Sequence, residues 1–348
     1  MRNAVQISQL KTVPGETTIV LSAAQQAQIS TDLKASCNHI SQEMHPHTLA
    51  VKAEEIILKH LNHVQREIVK QFSDHGDSPY LIIRSLVSLE NLPPTPTDDQ
   101  SPVEQSWREQ AACLLGLLAA CGATAASFED EMGGRLCHMV MPAKNSEASY
   151  SRSTKQLNFH TEVVNGYFAE ELPSHGKPLS PDVFGLACLR NPHGTSTTLL
   201  PIQPILDSLS IIDIEDLSRP EFSAYSQSSF DREIVIKAVP VLIRQKNGLM
   251  GMRYSNSKLQ PLTDRAEKAL VTLKGHISTS PFESIALQPG DALILNNRIC
   301  LHGRSALNGT ARFDGTDRWL IRIYGYHPRA KAHMRVIANK VHVMLLDA

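Results

Sequence analysis

Phe159-His160-Thr161-Glu162 decides how this chain is read, together with Leu301-His302-Gly303-Arg304 about 140 residues later. On a strand, residues two apart project to the same face. His160 and Glu162 can then meet one ion while Thr161 points away. Alone, His-x-Glu arises often by chance and reads equally well as a polar turn. A lone His302 would read as a core histidine. It follows a turn, Gln288-Pro289-Gly290-Asp291, and an apolar strand, Ala292-Leu293-Ile294-Leu295. This puts it at the rim of a β core. Together the three supply two imidazoles and one carboxylate, a set that leaves positions open on a non-haem iron. The pattern predicts a metal site on His160, Glu162 and His302.

Such an iron needs electrons and a means of activating dioxygen, and a chelating 2-oxo acid supplies both. Its distal carboxylate requires a fixed cation, for which arginine offers a bidentate fork. Arg318 and Arg322 stand four apart in Asp317-Arg318-Trp319-Leu320-Ile321-Arg322. On an expected strand they face the same way.

Working outward, the 348 residues are 42% hydrophobic and 20% charged, a globular balance sufficient for one elaborate domain or two modest ones. A net charge of -1 and no basic stripe argue against nucleic acid as a partner. No apolar run approaches the roughly 18 to 20 residues of a membrane helix. The first twenty residues lack a signal peptide's apolar region. Six cysteines are scattered without a Cys-x-x-Cys pair, as expected of reduced thiols in a cytoplasmic protein.

Along the chain, Thr17–Leu21 reads as a strand and Ser22 as a helix cap. Residues 47–72 carry apolar side chains at helical spacing, with one break expected. His60 and His63 on this helix read as surface residues, and His138 as a satisfied core histidine. Tyr80–Arg84 reads as a buried strand. Leu92–Asp99 is a proline-rich loop that resembles a linker. The apolar helix after it, Trp107–Cys121, needs a sheet to pack on, so the loop is expected to be internal. From residue 128 the pattern becomes short, β-branched segments: Leu136–Met141, Val183–Leu189, Thr197–Leu200, Ile234–Val241, Ile285–Leu287, Ala292–Leu295 and Trp319–Tyr326. Helices intervene at Pro201–Leu209 and Asp264–Gly275. Helices first and strands later is an α+β order.

These pieces, taken in order, resemble the clavaminate synthase-like, TauD-type branch of the Fe(II)/2-oxoglutarate oxygenases, which includes arginine, asparagine and lysine hydroxylases. The matching stretches are Gly133-Gly134-Arg135-Leu136 with Pro142, Phe159–Glu162, Ala187–Arg190 and Thr195–Leu199. Pro289-Gly290-Asp291, His302-Gly303-Arg304 and Arg312–Leu320 complete them. They span roughly residues 128–325, and the last is the most specific. The resemblance implies a distorted double-stranded β-helix (jelly roll) core with flanking helices. It implies a single oxygenase domain over 1–348: a mainly helical part at 1–127, the catalytic core at 128–330 and a C-terminal extension at 331–348. It implies Fe(2+) on His160, Glu162 and His302, O2, and 2-oxoglutarate held by Arg318 with help from the Thr198 hydroxyl. Ascorbate is an expected stimulant. Arg322 matches a position near the substrate carboxylate.

The chain departs from that pattern in two places. About two extra residues stand near Asn308-Gly309-Thr310. Where arginine-specific relatives offer acids to the substrate, Arg253-Tyr254-Ser255-Asn256 has none. Glu129, Asp130 or Glu131 could substitute, since a buried cation without a carboxylate is costly. The substrate-binding candidates are therefore Arg322, Asn256 and Glu131. The expected reaction is hydroxylation of an unactivated C–H of a free L-amino acid, lysine or arginine type leading, with release of succinate and CO2. Glu162 argues against a halogenase. Hydroxylation or desaturation of a carrier-bound or peptide-like derivative is the alternative, with the long loops at 169–181 and 219–232 forming a lid or groove rim. A non-enzymatic β-sandwich binding module is the alternative of another class. Oligomeric state is left open.

Overall fold

The computed structural model describes residues 18–39, 45–97, 108–142, 154–307 and 309–347. Two sheets face each other. The larger runs Thr18–Val20, Tyr80–Arg84, Ala292–Asn296, Val183–Arg190, Trp319–Tyr326, Thr124–Ala125, with His138–Val140 also paired to Trp319–Tyr326. The smaller runs Glu283–Ile285, Thr197–Pro201, Cys300–Arg304, Leu157–His160.

The central strands of the larger sheet are apolar at nearly every position because both faces are covered. Alternation divides them. Ala187, Leu189, Ile294, Ile321 and Ile323 enter a core shared with the helices. Leu186, Cys188, Leu293, Leu295, Leu320 and Tyr324 enter a second core, shared with Leu199 and Cys300 of the smaller sheet. Behind the smaller sheet a third core joins Leu200 and Leu301 to the helix Asp264–Thr279 and a set of short strands. The site lies in the middle layer, between the sheets.

The helical run breaks once, as expected, into Pro46–His60 and His63–His75. Asn62 accepts from the Gln65 backbone and Gln65 returns the bond, a capping box that starts the second helix. His63 is exposed, but His60 is not a surface residue: its Nε2 lies 2.8 Å from Asp32 and its side chain is only 12% exposed. The helix Arg108–Ala120 packs on the larger sheet, as its composition demanded. The proline-rich loop is internal. Thr95 bonds the backbone of Gly315 and Asp317 at 2.8 Å each, directly beside Arg318. Asp98, Asp99 and Asn308 lie outside the described residues.

Between residues 18 and 120 the described residues hold four helices, and the strands Thr18–Val20 and Tyr80–Arg84 join the larger sheet. The strand expected at Ile285–Leu287 is Glu283–Ile285. The C-terminal extension is tied in, since Lys340–Met344 pairs in parallel with Ser127–Phe128.

Helix Arg108–Ala120 crosses Pro46–His60 so closely that a Cβ on Gly116 would lie 2.6 Å from the Ala53 backbone. Gly116→Ala is expected to destabilise the protein by about 1–3 kcal/mol, the usual cost of overpacking. Gly275 is helical and exposed, with open space where a Cβ would go. Gly275→Ala should stabilise by up to ~1 kcal/mol. Denaturant midpoints should therefore move in opposite directions for the two variants.

Candidate active site

His160 is the last residue of its strand and pairs with His302 across the ladder. Their rings sit 4.2 Å apart, and His302 also packs on Phe184 at 4.6 Å. Glu162 is not on that strand, contrary to the alternation argument. The chain leaves the ladder at Thr161, whose N–H bonds the Tyr254 carbonyl at 2.8 Å, and turns through Val163 at φ 49°. That turn delivers the carboxylate to within 3.3 Å of His302 Nε2. Candidate ligand atoms of His160, Glu162 and His302 all lie within 4.8 Å of one another.

The electrostatics prepare these groups to hold a cation. His160 Nδ1 is 2.8 Å from the Asn158 carbonyl, which assigns the proton to Nδ1 and leaves the Nε2 lone pair available. Burial, then the neighbouring His302, lowers the His160 pKa to about 4, so the ring is neutral. Burial tends to raise Glu162, but Arg322 and the His302 contact outweigh it and hold the carboxyl well below its usual range.

Arg322 donates from Nη1 to both Glu162 oxygens, at 2.8 and 2.9 Å, and its Nη2 meets His138 Nδ1 at 2.9 Å. Glu131 Oε1 lies 3.6 Å from Arg322 Nη2, accepts from Ser229 at 2.7 Å, and is 3.1 Å from the Tyr324 hydroxyl. The same hydroxyl is 3.2 Å from Glu162. Glu131 Oε2 is buried without a partner. Burial, then Arg322, lowers the His138 pKa to about 3. Burial raises the Glu131 pKa in spite of Arg322 and the Ser229 bond, so the cluster sets the ionised Glu162 and the neutral rings of His160 and His138 against one guanidinium. A divalent cation between His160, Glu162 and His302 fits those converging donor atoms.

Arg318 presents a different case. It is 6% exposed, and no carboxylate of the described residues pairs with it. Burial, then Arg304, lowers its pKa to about 10. Arg304 shares the face of His302, two residues on, and donates to the Lys155 carbonyl at 2.5 Å. Two buried guanidiniums that act on each other, Arg304 and Arg318, favour a small anion.

Thr198 is a correction. In the ladder with Cys300–Arg304, Leu199 pairs with His302 and Thr197 with Arg304, while Thr198 pairs with Gly303. Thr198 therefore stands on the other face, where Leu200 and Leu301 enter the third core, and its Oγ1 is 2.8 Å from where a Gly303 Cβ would lie. The hydroxyl on the face of His302 and Arg304 is that of Thr197, 4% exposed. Thr197→Val is expected to raise KM for 2-oxoglutarate by roughly tenfold to a hundredfold, the worth of one bond to a charged group. Thr198→Val should leave it unchanged, as steady-state kinetics at varied 2-oxoglutarate would register.

No protein-family model matches the chain. It is 30% identical over 267 residues to L-asparagine oxygenase of Streptomyces coelicolor, covering 75% of each chain. It is 27% identical over 245 residues to L-lysine 3-hydroxylase of Catenulispora acidiphila, covering 64% of this chain and 61% of that one. A solved asparagine oxygenase, in complex with Fe(II), 2S,3S-3-hydroxyasparagine and succinate, superposes with a TM-score of 0.77. Its identity is 26% over 95% of this chain and 100% of its own. The non-heme iron oxygenase OrfP, in complex with Fe and alpha-ketoglutaric acid, shares the fold: TM-score 0.76, 22% identity, over 95% and 100% of the two chains. The chain belongs to the clavaminate synthase-like Fe(II)/2-oxoglutarate oxygenases.

Not every residue singled out in this oxygenase comes to the triad. Asn256 is exposed, and its carbonyl accepts from Lys274 at 3.0 Å. Ser255 is the residue bridged to His160. Conversely, sequence reasoning missed His138 as a partner of Arg322, and missed Tyr324. Tyr324 follows Arg322 by two on one strand, a signal that was available. His138 pairs opposite Arg322 across a ladder that only the fold reveals.

Proposed function

We propose that this oxygenase hydroxylates an unactivated C–H of a free L-amino acid, with 2-oxoglutarate and O2 as co-substrates and succinate and CO2 as co-products. The observation that carries this reading is the convergence of candidate ligand atoms of His160, Glu162 and His302 within 4.8 Å of one another. That donor set is suited to iron, and the buried Arg318, with no carboxylate partner among the described residues, is suited to the distal carboxylate of 2-oxoglutarate. His160, Glu162 and His302 would hold the iron, and Arg318, assisted by Thr197, would hold the co-substrate. Bound iron with 2-oxoglutarate supplies the oxidising chemistry. The chain's own contribution is to orient the ligands, fix the co-substrate and exclude water.

On the substrate side, Arg322 already donates Nη1 and Nη2 to the protein, which leaves its buried Nε–H for a substrate carboxylate. The unpartnered Oε2 of Glu131 is a ready acceptor for an ammonium, on the α-carbon or on a lysine-type side chain. We read the two facing sheets as a distorted double-stranded β-helix within one catalytic unit. Six unpaired cysteines support a cytoplasmic setting. No helix of the described residues is long and apolar enough to cross a membrane.

The test is a screen of free amino acids with Fe(II), ascorbate and 2-oxoglutarate, reading succinate together with a product one oxygen heavier. Turnover of at least one amino acid is expected. A blank across all of them sinks the free-substrate reading.

A further inference from the structure

We infer that Asn297 and Arg298, on the turn before the His302 strand, are positioning residues that hold the Glu162 segment in place for the metal. This rests on the iron site proposed above.

Glu162 needs such a support. It lies past the end of its strand, and the next residue, Val163, has the left-handed φ of 49°. That backbone conformation disfavours a β-branched residue, so the surroundings must hold it.

Asn297 provides the bonds that a neighbouring strand would otherwise give. It is fully buried. Its Oδ1 accepts from the Glu162 N–H at 2.8 Å, and its Nδ2 donates to the Glu162 carbonyl at 3.2 Å and to the Pro181 carbonyl at 2.9 Å. Ser180 Oγ, 3.4 Å from the same Nδ2, donates to the Glu162 carbonyl at 3.3 Å. Asn297's own N–H bonds the Asp182 carbonyl at 3.0 Å. One side chain therefore satisfies both backbone groups of Glu162. Only a primary amide offers donor and acceptor together in this way; an aspartate would offer acceptors alone.

Arg298 holds the far part of the same segment. It is 3% exposed, pairs with Glu170 at 2.5 Å and lies 3.6 Å from Asp182. Its guanidinium sits 3.4 Å over the Phe168 ring. Arg253, fully buried, lies 4.9 Å from that ring and bonds Glu171 at 2.7 Å and the Gly166 carbonyl at 2.8 Å. Residues 166–182 are thus fastened by two buried guanidiniums and one amide. The loop at 169–181, expected as a lid or groove rim, is a fixed support.

The turn that does this leads into Cys300–Arg304. The side chains that hold Glu162 and the ligand His302 are therefore carried by one short connection, from Ala292–Asn296 of the larger sheet to Cys300–Arg304 of the smaller. The relative position of the two ligands is set there, at residues that touch neither substrate nor metal.

The test compares wild type with Asn297→Asp, Asn297→Ala and Arg298→Lys. Asn297→Asp keeps the size and the acceptor for the Glu162 N–H but loses all the bonds that Nδ2 donates. Metal-free protein is titrated with Co(II), backbone hydrogen exchange is followed, and succinate formed per hydroxylated product is counted. For Asn297→Asp and Asn297→Ala we expect Co(II) affinity about 10- to 100-fold weaker, the usual range for removing an outer partner of a metal ligand. We also expect faster exchange over 162–182, with the strands Val183–Arg190 and Trp319–Tyr326 still protected, and more succinate per product. Arg298→Lys keeps a charge for Glu170 and should be milder. A folded Asn297→Asp with wild-type Co(II) affinity and wild-type exchange over 162–182 overturns the proposal, as does exchange that rises uniformly over the whole chain in all three variants. If wild type itself binds no Co(II), the iron reading fails, and exchange over 162–182 still decides the structural part.

Discussion

His302→Ala is expected to remove turnover while leaving the metal-free protein folded. The loss should exceed the 10- to 100-fold that removal of an outer partner costs, because a ligand itself is gone. Without it, His160 and Glu162 remain as two ligands that the ladder no longer completes. The fold tolerates the change because the ring's contacts are mainly with Phe184 and His160, and Glu162 keeps its two bonds to Arg322. Glu162→Ala should behave differently. It strips Arg322 of its principal partner inside a dry core, and breaking a buried pair costs about 3–5 kcal/mol. Melting of the metal-free proteins separates the two cases, and an anaerobic titration should find the weak iron–2-oxoglutarate absorbance missing in both. An intact band and turnover in His302→Ala would refute the triad.

Arg318→Met should pull activity and stability in opposite directions. A buried arginine without a carboxylate is a cost to the metal-free fold. A methionine of similar length removes that cost, so the melting temperature of the metal-free variant should hold or rise. Binding of 2-oxoglutarate should collapse. Truncating one side of a buried, hydrogen-bonded charge pair costs about 2–5 kcal/mol, so KM should rise roughly 30-fold or more. Arg318→Lys keeps the charge but not the fork and should fall between. The expected signature is a stable protein with a very weak co-substrate site. A variant that loses stability but keeps its KM would mean that Arg318 is structural.

Chemistry that travels with short motifs was legible in the sequence. Tyr80–Arg84 and Trp319–Tyr326 are strands with the expected bounds, because an apolar run closed by polar residues has few alternatives. That His160, Glu162 and His302 could converge was readable from the order of two motifs, and Arg318 was a candidate from the need for a cation. The loop before Arg318 also follows from local chemistry. Asp317 accepts from the backbone of Arg312 and Phe313, which closes the loop just before Arg318.

What only the tertiary structure decided is the face each residue presents and the partner it meets. A one-residue change of register exchanges the two faces of a strand, and so it is Thr197 rather than Thr198 that looks toward the triad. His138, Tyr324 and Asn297 carry no motif. They meet Arg322 and Glu162 through pairings between residues 135 or more positions apart. Glu162 reaches the metal position through a turn, where the sequence suggested a strand. The sequence by itself determined which atoms are available to an iron and a 2-oxo acid. The fold decided how they are held, because a ligand's direction depends on backbone bonds made by residues far along the chain.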